Sequence, residues 1–230
     1  MIKGFGIFEI ILALTVSLVV LTLVLANVSG TVKQSKKVIT QQQRMESLFH
    51  SVDMIRQDLT KCGMRLQEAS HFFTFPLFEN SNLSFKVIYG LEKETLLDSA
   101  LKGNTIIFVN RNEFFQTKRR IAIFDEKGEI YEINEIKGIS GNKITLLYGL
   151  VNDYPKNASV VVLKEVEYRL YTDQNTLKRK VNKGNFQPIM EEVTNFYVKY
   201  YGEVRSVLYR IEINRKEQIS GYIFLTNMEQ

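Results

Sequence analysis

The sequence predicts an α+β chain, a long N-terminal α-helix followed by an antiparallel β-sheet domain, on three observations. An almost wholly apolar run fills residues 5–26, an apolar stripe at helical spacing runs from Met45 to Cys62, and short β-type runs punctuated by glycine occupy the chain beyond about residue 72. The expected division is residues 1–4 as a leader, 5–29 as a transmembrane helix, 30–71 as its amphipathic continuation and 72–230 as a β-rich domain.

The first element follows from length. About 22 apolar residues at ~1.5 Å each cover ~33 Å, against a bilayer hydrocarbon core of ~30 Å. The run is longer than the apolar region of a secretory signal peptide, and Asn27-Val28-Ser29-Gly30 follows it in place of a small-residue cleavage site.

One residue does not suit the run. Glu9 is ionisable, and burying it in hydrocarbon costs at least ~2.5 kcal/mol. No cation lies within one turn C-terminal to Glu9, and Lys3 is six residues away, so its partner is expected on another chain. If a protease cut between Gly4 and Phe5, the new α-amino group of Phe5 would be a cation able to pair with Glu9 of a neighbouring subunit. The alternative is an ordinary single-pass anchor whose glutamate snorkels to the interface.

The segment Lys3-Gly4-Phe5-Gly6-Ile7-Phe8-Glu9 resembles the class III prepilin signal of type IV pilin-like proteins: a basic leader, glycine, phenylalanine, apolar residues and a glutamate at the fifth mature position. It departs from that pattern in having Gly6-Ile7-Phe8 where Thr-Leu-Ile is usual, and a single lysine in the leader. The resemblance implies cleavage after Gly4 by prepilin peptidase, N-methylation of Phe5, and an assembly role for Glu9. Charge counting leaves the orientation open, because Lys33, Lys36 and Lys37 outnumber Lys3 with the α-amino group. The resemblance implies a cytoplasmic amino terminus in a bacterial inner membrane and a translocated domain.

The second element follows from spacing. Met45, Leu48, Val52, Ile55, Leu59 and Cys62 recur at alternating intervals of three and four, one face of a helix that is expected to pack on a sheet. Arg44, Glu46, Asp53, Arg56, Gln57, Asp58 and Lys61 are expected on a solvated opposite face, with Gly63 as C-cap. The helix is expected to run from Phe5 to about Cys62, with Ser29 and Gly30 as a site of bending or local melting.

The third element is read from short runs. β-type segments are expected at 83–89, 105–109, 120–124, 130–133, 143–148, 160–171, 176–181, 196–201, 204–214 and 219–226, with Asp173-Gln174-Asn175 as a hairpin turn. Val207, Tyr209, Ile211 and Ile213 alternate with Arg210, Glu212 and Asn214, the pattern of a half-buried strand. Met54-Ile55-Arg56-Gln57-Asp58-Leu59 with Cys62-Gly63, Val166-Glu167-Tyr168-Arg169-Leu170, Thr176-Leu177-Lys178-Arg179 and Val193-Thr194-Asn195-Phe196 are together similar to PilW-type minor pilins and J-type secretion pseudopilins. Residues 119–150 look like the insert of PilW-type proteins. The resemblance implies a low-abundance subunit that primes assembly of a type IV pilus or related filament, with other pilins, the peptidase and the inner membrane as partners.

Signs of other chemistry are weak. Thirty basic against 25 acidic residues is a modest excess spread along the chain, and charge alone names no partner. His50 and His71 belong to no cluster at metal-ligand spacing, so neither a metal nor another cofactor is expected. Residues 138–143 lack the full phosphate-loop spacing and read as a β-turn, and no nucleophile elbow is present, so no catalytic residue is expected. Asp125, Glu126 and Glu129 around Gly128 lack the ligand set of a calcium loop. Lys118, Arg119 and Arg120 after Phe114 and Phe115, and Lys178, Arg179, Lys180 and Lys183 near Phe186, mix cations with aromatic rings, a composition that can grip DNA but more often marks solvated strand faces. The rival functional reading is an uncleaved, membrane-tethered binding module.

Overall fold

The computed structural model describes residues 6–67, 77–110 and 113–227, apart from the Phe8 side chain. One long apolar N-terminal helix precedes an antiparallel β-sheet domain, and the chain divides into two compact units, Met1–His50 and Ser51–Gln230. The expected leader, residues 1–4, lies outside the described residues, as do Phe5 and His71.

Helix α1 is Ile7–Thr60, 54 residues that continue through Ser29 and Gly30 without a break. Its hydroxyl side chains return to carbonyls of the preceding turn, as in Ser17 Oγ to Ala13 O at 2.7 Å and Thr22 Oγ1 to Val19 O at 2.8 Å. This lets the run carry Ser and Thr without an unsatisfied hydroxyl.

The helix ends where other bonds outcompete the α ladder. Cys62 N–H turns back to Leu59 O at 3.0 Å, and Gly63, at φ 73°, donates instead to Ile88 O of the sheet at 3.0 Å. Asn227 Nδ2 supplies a donor for Thr60 O at 2.9 Å, satisfying one of the carbonyls that a helix end leaves open.

Twelve strands follow: β1 Phe78–Ser81, β2 Ser84–Thr95, β3 Ile106–Phe108, β4 Arg120–Phe124, β5 Tyr131–Ser140, β6 Lys143–Leu146, β7 Ser159–Tyr171, β8 Thr176–Val181, β9 Gln187–Met190, β10 Val193–Tyr201, β11 Ser206–Ile213 and β12 Glu217–Phe224. They form a nine-stranded sheet, β1-β2-β7-β4-β5-β6-β3 with β8 and β9 branching from β7, and a three-stranded sheet, β10-β11-β12.

The 13-residue β7 is the spine of the larger sheet. One edge pairs with β2 from Ser84↔Arg169 to Thr95↔Ser159; the other pairs first with β4, through Ile121↔Val162, and then with β8, through Val166↔Val181. Residues 159–163 are buried on both faces and so read as an unbroken apolar run, whereas the residues beyond alternate. A Cβ on Gly90 of β2 would stand 3.0 Å from Arg65 Cβ and 3.1 Å from Met64 O, so its absence lets the turn at Met64 approach and accept the Gly90 N–H at 2.8 Å.

Two apolar groupings fill the domain. Leu96, Ile107, Phe115, Ile121, Ile136, Leu150, Tyr154 and Val162 belong to a cluster under the loops that follow β2 and β6. In the other, the Phe85 ring stacks on Tyr168 at 4.7 Å and meets Phe196 at 5.8 Å, joining the two sheets.

Strands β4 and β8 match their expected bounds, β2 and β5 run six and seven residues further than expected, and the other expected strands differ by three residues or fewer. The four-residue strands β1 and β9 were not among the expected segments, and β9 contains Pro188, which its place at the sheet edge accommodates. Val204 lies in a 3-10 turn, Gly202–Val204, closed by Arg205 at φ 46°, so β11 starts at Ser206 and not at 204.

Candidate functional site

At the start of α1 the side chains are open to the surroundings: Ile7 is 79% exposed and Leu25 58%. The helix is long and apolar enough to cross a membrane. Gly4 and Phe5, the expected processing positions, lie outside the described residues.

Glu9 has a bonding partner within its own helix. Gly6 N–H donates to Glu9 Oε2 at 3.0 Å, the side-chain half of a capping box, with Gly6 as N-cap and Glu9 three positions on. The carboxylate also faces the positive end of the helix dipole. Sequence reasoning looked for a cation and overlooked the unpaired backbone donors of the first turn.

Of the expected packing stripe, Leu48, Val52, Ile55, Leu59 and Cys62 are buried, but Met45 is 46% exposed. Periodicity shows which face of a helix is apolar, not how far along it the cover extends, so Met45 is corrected to an exposed position.

The larger correction is Asp58, expected on the solvated face and found 4% exposed. Its Oδ1 accepts from Tyr89 Oη at 2.9 Å, and its Oδ2 accepts from Tyr168 Oη at 2.6 Å and Arg179 Nε at 2.9 Å. Arg179 Nη2 is 2.8 Å from the same oxygen. The carboxylate thus bonds to β2, β7 and β8 at once. Burial, then the Asp58 charge, push the hydroxyls of Tyr89 and Tyr168 well above the usual phenol range, so both remain donors at neutral pH. Burial lowers the neighbouring Lys164, against the opposing pull of Asp58. A carboxylate bonded in this way to three side chains from three strands is a fastener for the end of the helix.

Glu132, 8% exposed, does the same for a loop. Its Oε2 accepts from Val151 N at 2.8 Å, Asn152 N at 3.3 Å and Tyr154 Oη at 3.3 Å. Asn134 lies beside it, its Nδ2 donating to Tyr148 O at 3.0 Å.

The two basic segments disperse. Phe115 is buried in the core while Phe114 is 53% exposed, and Arg120 is paired with Glu165. In the second, Arg179 points inward to Asp58, Lys178 lies 4.3 Å over Tyr171, and Arg169 and Lys180 lie 5.1 and 5.3 Å from Phe186. Glu167 pairs with Arg169 at 2.5 Å and Lys180 at 3.6 Å, and Glu135 with Lys183 at 2.5 Å. In the second segment Tyr171 and Phe186 already carry cations, and across the two segments Arg120, Arg179, Lys180 and Lys183 are paired with acids.

Among the described residues no three His, Cys, Asp or Glu side chains are grouped to hold a metal. Asp125 closes the β4–β5 turn, its Oδ1 accepting from Ile130 N at 3.1 Å, and Gly141 turns the chain between β5 and β6 at φ 55°. Burial pushes the Cys62 thiol up to about 12, which leaves it unreactive at neutral pH.

Against known proteins, no family model matches this chain, and no curated protein matches it. Among solved structures it is similar to the Gp54 tailspike of Acinetobacter baumannii bacteriophage AP22, in complex with A. baumannii capsular saccharide, at 14% identity and a TM-score of 0.29. The match covers 34% of this chain and 15% of that one, and a likeness so slight carries no argument.

Proposed function

We infer that the chain is a minor pilin or pseudopilin, cut after Gly4 by prepilin peptidase, which enters a type IV pilus or related filament through its N-terminal helix and helps to prime assembly. It starts in the bacterial inner membrane with its β domain translocated, and ends in a pilus or pseudopilus at the cell surface. The observation that carries this reading is the single helix Ile7–Thr60, apolar around one carboxylate at its start and fastened to three strands through Asp58 near its end. Such an element serves a subunit whose helix must pack among other helices while holding its own domain. The Gly4-Phe5-Glu9 spacing of the sequence supports it.

The Gly6–Glu9 bond favours a second reading, an uncleaved tethered binding module. A glutamate that caps its own helix does not require a partner subunit.

The mass of the amino-terminal peptide, from native membranes with and without the host's prepilin peptidase, separates the two. A methylated Phe5 terminus that depends on the peptidase is expected. An intact Met1-Ile2-Lys3-Gly4 terminus in both preparations replaces the filament reading with the tethered module.

A further inference from the structure

The outward face of the three-stranded sheet carries a patch that the core does not use. The register sets Lys199, Leu208 and Tyr222 in one cross-strand row, beside a row of Tyr197, Arg210 and Ser220. A third row runs from Tyr201 across the buried Ser206 to the exposed Phe224. Cross-strand partners share a face, and the opposite face holds the buried Val207, Tyr209, Ile211 and Ile223. Tyr222 and Phe224 are 64% and 65% exposed and Tyr197 40%, so three large rings meet water on one side of one small sheet. Lys199 Nζ lies 4.8 Å from the Tyr201 ring. These rows contain two cations and no carboxylate, and Glu212 stands only in the next row.

Single exposed apolar residues are ordinary, but here the exposed Tyr222 and Phe224 lie side by side on β12, with Leu208 linking Tyr222 across the face toward the β10 edge that carries Tyr197, and exposed apolar groups gathered on one face among polar ones mark an interaction site. Tyrosine and arginine are also the residues that most often dominate binding energy at interface centres. We propose that this face docks a partner protein through an apolar segment flanked by carboxylates. Charge selects the occupant. A second copy of this face would bring two more cations and, in these rows, no carboxylate to pair with Lys199 and Arg210. Lipid recognition by basic clusters uses about four to eight cations, each contributing about 1 kcal/mol near an anionic surface, and this face has two. An acidic apolar segment covers the rings and pairs both cations together. The proposal holds whether or not the chain is cut after Gly4.

The test uses full-length protein in its native membranes, with a photoreactive benzophenone side chain replacing Tyr222 and, as control, the exposed Lys127. The expected product is an adduct with one protein, the cross-linked peptide containing Asp or Glu. Its yield should fall tenfold or more on Lys199→Glu with Arg210→Glu, and return when those partner carboxylates are changed to lysine. Both substitutions are at exposed positions, and an unchanged near-ultraviolet circular dichroism spectrum checks that the fold is kept. Adducts only with lipid, adducts only with a second copy of the chain, yields no higher than at Lys127, or a yield indifferent to charge reversal each overturn the proposal.

Discussion

Asp58 and Arg179 stand 121 positions apart in the chain, and the arginine holds the carboxylate through Nε at 2.9 Å and Nη2 at 2.8 Å, fastening the last turns of α1 to β8. The phenols of Tyr89 and Tyr168 complete the carboxylate's shell. Removing one member of a buried pair leaves the other uncompensated and costs about 3–5 kcal/mol. Asp58→Ala is therefore expected to destabilise the domain by that amount in denaturant unfolding of the full chain in detergent. The double variant Asp58→Leu with Arg179→Met should lose less than the sum of its two single changes; strict additivity would mean that the two groups do not act together.

Alkaline pH should loosen the domain in a defined order. Cys62 has an ordinary value of 9.0 and is held at about 12 in the folded chain, chiefly by burial. Tyr89 and Tyr168 are also raised from an ordinary 10.0. All three are acids whose folded pKa lies above the unfolded one. Their contribution is complete below the unfolded value and is lost as pH rises toward the folded one, at most about 1.4 kcal/mol per pH unit for each group. Urea midpoints should fall from about pH 9, and in Cys62→Ala the fall should start about one unit later. The same onset in both proteins would remove Cys62 from the account. Lys164, whose folded value is lowered, acts in the opposite direction.

Glu132 is expected to behave as a loop clamp. In Glu132→Ala the amides of Val151 and Asn152 lose a charged acceptor, and hydrogen bonds to charged groups contribute about 1.5–3 kcal/mol each, less where, as here, water can reach the site. Hydrogen exchange at those two amides should accelerate well beyond that in β7. Exchange unchanged at both would show that the loop is held elsewhere.

Glu9 separates the two functional readings a second time. In a filament subunit, Glu9→Ala should greatly reduce incorporation while the β domain keeps its unfolding transition. In a tethered module the same change costs only a capping bond, about 0.5–2 kcal/mol of local helix stability. Filament incorporation at the wild-type level would sink the assembly role of this carboxylate.

Much of this architecture was legible in advance because local rules govern it. The apolar run of 5–26, the spacing of Leu48, Val52, Ile55, Leu59 and Cys62, and the alternation through Val207, Tyr209, Ile211 and Ile213 each record one face of one element. Glycines and the Asp173-Gln174-Asn175 turn marked breaks between strands, and β4 and β8 fell where expected.

Partnership between distant segments left no such trace. Asp58 reads as one more polar residue on a helix, and only the crossing of β2, β7 and β8 beside it makes it buried and bonded. Met45 has the periodicity of its neighbours and stays exposed. The aromatic face of β10-β11-β12 likewise depends on register, which places Leu208 beside Tyr222 and Lys199. The sequence by itself determined a membrane-competent helix and a β domain, because hydrophobic period and length are local quantities. Tertiary structure alone decided which charge is buried and which rings are left facing water, because burial depends on what other parts of the chain bring to the same place.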